Sequence, residues 1–288
     1  MNRNLILLGL ISFFFVSCQS QRFKPGQEIN SFHIGNSLTW DSQPKGIAAI
    51  ANENGYKASA GYHITCGKPL THISQNPKDI CVKVVPKFGY WGDALVKNKL
   101  NFVTMQPFRG ASTLKSEADA INNFIELCRS GKQNQNTIFY IYATWPAQLD
   151  YAKTWTSEFP DKDDAKTVLC AQYFDHIIKR VRKRTDATVY LIPAGEVLYK
   201  LDLELRKGKV TGLPNVQALF RDKVHLSTDL GRFAVALTKY CTIYKQNPEG
   251  VLKPKGYYGK NDSSYSAEYY NLVYETVRKV IENNPYTD

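Results

Sequence analysis

The chain has 288 residues, 43% hydrophobic and 22% charged, which is enough apolar material for one sizeable core and too much for a disordered segment. Lysine and arginine number 37 against 26 acidic residues, a formal net charge of +11. The one dense basic run, Lys179-Arg180-Val181-Arg182-Lys183-Arg184, falls on an expected helix and reads as a solvated face. With no nucleic-acid motif beside it, no nucleic-acid partner is expected.

At the N-terminus, Asn2-Arg3-Asn4 is short and polar, and Leu5 to Val16 is almost wholly apolar but too short for an ordinary membrane helix. It ends in Phe15-Val16-Ser17-Cys18, which resembles a bacterial lipobox with Phe15 where such motifs usually carry Leu. The expectation is a lipoprotein signal peptide over residues 1–17, with Cys18 lipidated as the new N-terminus. The protein would then be anchored in a bacterial cell envelope, periplasmic or surface-facing, with its domain in water. A plain secretory signal with an incidental cysteine is the alternative. Residues 18–30, polar around Pro25-Gly26, read as a tether, and residues 31–288 as a single domain.

Within that domain, short β-type runs alternate with helical patterns. Phe32-His33-Ile34 is a strand, residues 46–54 a helix ended by Gly55, and residues 56–64 and 101–105 two further strands. Ala118, Ile121, Ile125 and Cys128 recur at helical spacing. Residues 137–143 (TIFYIYA) form a continuous β-branched and aromatic run, as expected of a strand buried on both faces. Cys170, Phe174, Ile177 and Val181 give the next helix, and residues 188–192 a fifth strand. Leu230 to Cys241 marks another helix with Ser227 or Thr228 as its N-cap, and Tyr270 to Ile281 a terminal one. This alternation implies right-handed crossovers, a mostly parallel sheet and helices on both faces.

Five cysteines remain beyond Cys18, an odd number, so at least one is unpaired. Cys128, Cys170 and Cys241 lie on apolar helix stripes and read as core. Cys66 and Cys81 are the one pair considered for a disulfide, and whether they join is left open. No CxxC or HExxH spacing occurs, so neither a metal nor an organic cofactor is expected.

In parallel sheets chemistry gathers after the strands, at their carboxyl ends. Those places hold Gly35-Asn36-Ser37-Leu38-Thr39, then Thr65-Cys66-Gly67-Lys68-Pro69, then Gln106-Pro107-Phe108, then Thr144-Trp145-Pro146, and finally Asp222-Lys223-Val224-His225 before a helix start. A lone Gly-x-Ser or DxxH is common; their order at strand ends of one domain is the signal. The ordered set resembles the SGNH (GDSL-type) hydrolases over about residues 31 to 240, in particular a bacterial subgroup reading G-N-S-x-T at the nucleophile.

That resemblance implies a three-layer α/β/α domain with a flavodoxin-like, mostly parallel five-stranded sheet. It implies Ser37 as nucleophile, His225 as base and Asp222 as the acid that orients the imidazole. It implies an oxyanion hole from the backbone N–H groups of Ser37 and Gly67 and the amide of Gln106, which stands where the family usually has Asn. Asn36 stands where the family usually has Asp. Asp41 competes with Asp222 as the orienting acid, with the family pattern favouring Asp222. Asn36, Trp40 and Trp145 are candidate substrate contacts; His33, His63 and His72 read as structural. The expected activity is a serine esterase removing O-acyl, chiefly O-acetyl, groups from carbohydrate, with an acylated carbohydrate or small ester as substrate. A non-catalytic glycan-binding lipoprotein and an O-acyltransferase with the same triad are the alternatives.

Overall fold

The computed structural model describes residues 22–252 and 267–288. The signal peptide and Cys18 lie outside the described residues. In chain order the elements are β1 (Glu28–Gly35), α1 (Ser37–Asp41), α2 (Pro44–Glu53), β2 (Lys57–Ile64), α3 (Leu70–Gln75), α4 (Trp91–Lys97), β3 (Phe102–Met105), α5 (Leu114–Ser130), β4 (Ile138–Tyr142), α6 (Tyr151–Trp155), α7 (Ala171–Arg182), β5 (Val189–Ile192), α8 (Ala194–Leu205), α9 (Gly231–Tyr244) and α10 (Ala267–Asn283).

The five strands form one sheet in the order β2-β1-β3-β4-β5, with every pairing parallel. Parallel strands covered on both sides must be apolar on both sides, and they are: Phe102 to Met105 and Phe139 to Tyr142 are all buried. Helices α2, α8, α9 and α10 pack together on one face, and α3, α4, α5 and α7 on the other. This is the three-layer, flavodoxin-like arrangement expected from the sequence. The chain steps outward from β1 to β2, then back across β1 to β3. The order therefore reverses between β1 and β3, and the crevice at their carboxyl ends is the natural place for a site.

Several boundaries differ from the sequence expectation. The first strand begins at Glu28, inside the segment read as a tether, because Ile29 is buried and Asn30 pairs with Asn101. Arg22 and Phe23 are also docked. The Arg22 guanidinium lies over the Tyr190 ring at 4.2 Å, and Phe23 packs edge-on to Tyr244. Helix α9 starts at Gly231 with Leu230 in the cap position; Ser227, four residues back, still accepts the Gly231 N–H through its hydroxyl (3.1 Å). Cys66 and Cys81 are joined, their Cα atoms 5.6 Å apart, and Cys128, Cys170 and Cys241 are buried free thiols. Among the described residues no helix is long and apolar enough to cross a membrane.

Candidate active site

The turn that carries Ser37 follows directly from β1. Register pairs Ile34 with Met105, so Gly35 lies beside Gln106 at the carboxyl edge of the sheet. A β-carbon at Gly35 would come within 2.8 Å of both Cβ and Oε1 of Gln106, so the close approach of the two strand ends requires glycine. Asn36 caps α1: its Oδ1 accepts the Leu38 N–H (3.0 Å). Ser37 is then the first residue of the helix, so its own N–H has no intrahelical acceptor.

Gln106 is fully buried, and most of its amide braces this turn. Its Oε1 accepts from the Asn36 N–H (3.0 Å) and from the Thr39 hydroxyl (3.1 Å), while Nε2 donates to the Pro107 carbonyl (3.0 Å). One Nε2 hydrogen is left. Asn36, read as a substrate-contact candidate, is likewise fully buried, and its Nδ2 donates to Lys68 O (3.1 Å). It thereby ties the Ser37 turn to the loop that carries Gly67.

That loop is a tight turn, Lys68 N–H to Thr65 O (3.2 Å), with Gly67 at φ +68°. A left-handed φ at the third turn position favours glycine. Nothing lies within 4 Å of where a Gly67 side chain would be, so its backbone borders open space. The Cys66–Cys81 bridge fixes one end of the loop, and the start of α3 fixes the other. There the buried Glu117 carboxylate accepts from the N–H groups of Leu70 and Thr71 (3.2 and 2.9 Å), the Thr71 hydroxyl (2.7 Å) and the Phe108 N–H (3.0 Å). Glu117 thus joins the Gly67 segment to the Gln106 segment.

The last block is a narrow loop closed by an antiparallel bridge between Phe220 and Leu226 and by Arg221 N–H to His225 O (2.9 Å). Asp222 turns back on it: Oδ1 accepts the N–H groups of Val224 (3.0 Å) and His225 (2.8 Å), and Oδ2 lies 2.9 Å from His225 Nδ1. Partial burial pulls the Asp222 carboxyl upward, but these two backbone N–H groups and the imidazole outweigh it and hold it at about 2. An ionised Asp222 therefore faces His225 Nδ1, which assigns the proton to that nitrogen and leaves Nε2 with a free lone pair. Among the described residues no hydrogen bond joins Ser37 Oγ to His225, whose ring contact is with Asp222.

Asp41, the competing candidate for orienting acid, does not bond to the imidazole among the described residues. It is fully buried at the end of α1 and bonds to the backbone of Leu226, Oδ2 to N–H at 2.9 Å, instead of to the imidazole. Trp145 is 1% exposed, and its indole N–H donates to Val224 O (2.8 Å); the candidate substrate contact is a support beneath the Asp222–His225 loop. Trp40 is 36% exposed, packs edge-on against Tyr62 and borders a surface pocket with Gln43, Pro44 and Arg232.

His33 is buried between Thr104 (2.8 Å) and Ser31 (3.1 Å), with its basicity depressed by burial and then by Lys239. Burial also lowers His63, to about 4. The residues missed from sequence are Arg221 and Arg232, which reach Asp41, and Glu117. Their flanking of recognisable blocks was visible, but their partners were not. Among the described residues no group of three His, Cys, Asp or Glu side chains is placed to hold a metal ion.

Solved structures similar to this chain include a DUF4886 family protein from Bacteroides uniformis ATCC 8492, with a TM-score of 0.58 at 17% identity, over 89% of this chain and 95% of that one. A two-domain esterase (CEX) active on acetylated mannans gives 0.44 at 11% identity, over 80% of this chain and 53% of that one. A salicylyl-acyltransferase, SsfX3, from a tetracycline biosynthetic pathway gives 0.41 at 13% identity, over 75% and 53%. This chain thus spans about half the length of the last two, and the likeness to the first is one of fold. No family model matches the sequence, nor does any curated protein.

Proposed function

We propose that the protein is a serine hydrolase of the SGNH type that removes O-acyl groups, chiefly O-acetyl, from carbohydrate through an acyl-enzyme at Ser37. The observation that carries this reading is the Asp222–His225 pair, an ionised carboxylate against Nδ1 of an imidazole on a loop fastened to the helix that begins with Ser37. In this reading His225 Nε2 takes the Ser37 Oγ proton as oxygen attacks the ester carbonyl, and returns it to the departing alcohol. The oxyanion is met by the N–H groups of Ser37 and Gly67, with the remaining Nε2 hydrogen of Gln106 as a third donor. Each such donor lowers the barrier by roughly 3 kcal/mol. Water activated by His225 then releases the acid.

Two features favour a water-borne carbohydrate over a membrane lipid. The exposed Trp40 ring, three residues from Ser37, offers an aromatic face of the kind that stacks on sugars. Phe23 packs on Phe102, the first residue of β3, and Gly26 bonds to Gly55 just before β2, so the described N-terminal segment enters at the amino edge of the sheet. Ser37 is at the carboxyl edge. A lipid on Cys18, four residues before Arg22, has a reach of only about 14 Å, so envelope anchoring would hold the site facing away from the bilayer.

The test is acetate release from a panel of acetylated polysaccharides, beside fluorophosphonate labelling and the Ser37→Ala variant. We expect an adduct on Ser37 and a loss of at least about 1,000-fold in Ser37→Ala. Folded wild-type protein that neither labels nor releases acetate, yet retains the polysaccharide, would make it a glycan-binding protein instead. Acyl transfer to an added acceptor sugar would make it a transferase.

A further inference from the structure

We infer that Asp41 is a positioning residue that sets the distance between Ser37 and His225; the inference rests on the hydrolase reading above. Ser37 and Asp41 are the first and last residues of the five-residue helix α1. Four residues apart, they lie on one side of a single turn, about 6 Å along its axis. Asp41 Oδ2 accepts the N–H of Leu226 at 2.9 Å, and Leu226 directly follows His225. The nucleophile and the base, 188 positions apart in sequence (225 minus 37), are therefore linked by one helical turn and one hydrogen bond.

The other carboxylate oxygen keeps this joint stiff. Asp41 Oδ1 accepts from Arg232 Nε (3.0 Å) and Nη2 (2.7 Å) and from Arg221 Nη1 (3.3 Å). Arg221 Nη1 also donates to the Leu226 carbonyl at 3.0 Å. Both backbone polar groups of Leu226 are thus gripped, one by Asp41 and one by a cation that Asp41 itself holds. Arg232 lies on α9, so the clamp refers the loop to a helix of the sheet's covering layer as well as to α1. The Asp222–His225 contact needs none of this, because the loop makes it locally through Asp222 and its own backbone. Loss of Asp41 would leave the pair intact and move it relative to Ser37.

Asp41→Asn keeps the shape and loses the charge that holds both arginines. We expect kcat on an activated acetate ester, per folded molecule, to fall by about 100-fold with KM within about twofold, since an ångström of misplacement has this effect. The rate of fluorophosphonate labelling at Ser37 should fall in parallel. The downfield proton resonance of His225 Nδ1–H against Asp222 should persist, which a general loss of structure would not allow. Should Asp41→Asn fail to fold, Arg221→Gln is the second variant. At a half-exposed position it releases the Leu226 carbonyl, the longest of the contacts to Asp41 Oδ1 and a 3.9 Å approach to Asp222, while Arg232 still holds Asp41. A fall of about tenfold in kcat at unchanged KM, with the His225 Nδ1–H resonance retained, is expected. A folded Asp41→Asn that labels at the wild-type rate, or a change confined to KM in either variant, overturns the assignment. Wild-type protein inert to the probe overturns the hydrolase reading, and the positioning role with it.

Discussion

Asp41 and Glu117 are both fully buried carboxylates, and each fastens segments that lie far apart in sequence. Asp41 joins α1 to the His225 loop; Glu117, on α5, joins the start of α3 to the loop after β3. Their partners differ in kind. Two guanidinium groups meet Asp41, whereas every donor to Glu117 is a neutral N–H or O–H. Burial therefore raises the Glu117 carboxyl, and its hydrogen bonds work against that rise without cancelling it. The charged joint carries the segment that holds His225, the base in the proposed reaction. The neutral joint carries segments that offer the site a backbone N–H at Gly67 and an amide brace at Gln106.

The largest expected difference between the two is in stability. Asp41→Ala leaves Arg232, largely buried, facing nothing, and breaking one side of a buried ion pair typically costs about 3–5 kcal/mol. Urea unfolding followed by tryptophan fluorescence measures this; a loss below about 1 kcal/mol would mean that the arginines find water and that the charge is incidental. Next comes the covalent fastener beside the neutral joint. The Cys66–Cys81 bridge spans a separation of 15 residues, and opening it by reduction should cost about 3 kcal/mol. Gly67 follows Cys66 directly, so acetate release should decline under reductant before the fold melts. Equal activity and melting temperature in both redox states would remove the bridge from the argument.

Glu117→Gln should be milder, about 1–3 kcal/mol, because it leaves hydrogen-bond donors unpaired but no charge stranded. Its pH dependence is diagnostic. The native carboxyl is raised, so above the ordinary glutamate range the native state holds this proton longer than the unfolded chain does, and the wild type loses stability as pH rises through the native value. The deficit of Glu117→Gln should therefore be greatest at the acid end and narrow as pH rises. A deficit that widens with pH would show that the Glu117 carboxyl is lowered rather than raised in the native state, and the contrast with Asp41 would collapse.

The contrast also explains what was legible in the sequence. The sheet was readable because strands buried on both faces must be continuous apolar runs, as in residues 137–143; β1 was underread because Glu28, Asn30 and Ser31 interrupt that signal while their backbones pair normally with β2. Helix α8 lies outside the elements expected from the sequence, although Val197, Leu198, Leu201 and Leu205 recur at helical spacing and are buried. The blocks around Ser37 and His225 stand out because the proposed chemistry asks for particular side chains. What joins them does not. Asp41 grips Leu226 N–H, Asn36 reaches Lys68 O, and Gln106 reaches Asn36 N–H and Pro107 O. In each case one partner is a peptide group, which every residue carries and which leaves no mark in the sequence. The same reason misplaced Trp145, whose partner is the Val224 carbonyl.

The smallest expected effect concerns Lys239, a fully buried lysine that bonds to the residue after Asp41. Its Nζ donates to the Ser42 hydroxyl (3.1 Å), one residue past Asp41, and lies 4.7 Å from the centre of the Tyr142 ring. It makes no ion pair with Asp41 among the described residues, since both carboxylate oxygens are already occupied by Leu226 and the arginines. Burial brings the ammonium down from 10.5 to about 7. Between those values the unfolded chain holds the proton and the native protein does not, so wild-type stability climbs with pH across this window and the penalty of a buried charge is greatest at and below pH 7. Lys239→Met should therefore stabilise at pH 7 by about 1 kcal/mol, a rise of about 2–4 °C in Tm, and the gain should vanish toward pH 10. If the variant is instead destabilised at pH 7, Lys239 contributes to holding Asp41 in place. The joint would then contain three cations around one carboxylate, and its difference from Glu117 would be larger than the hydrogen bonds alone express.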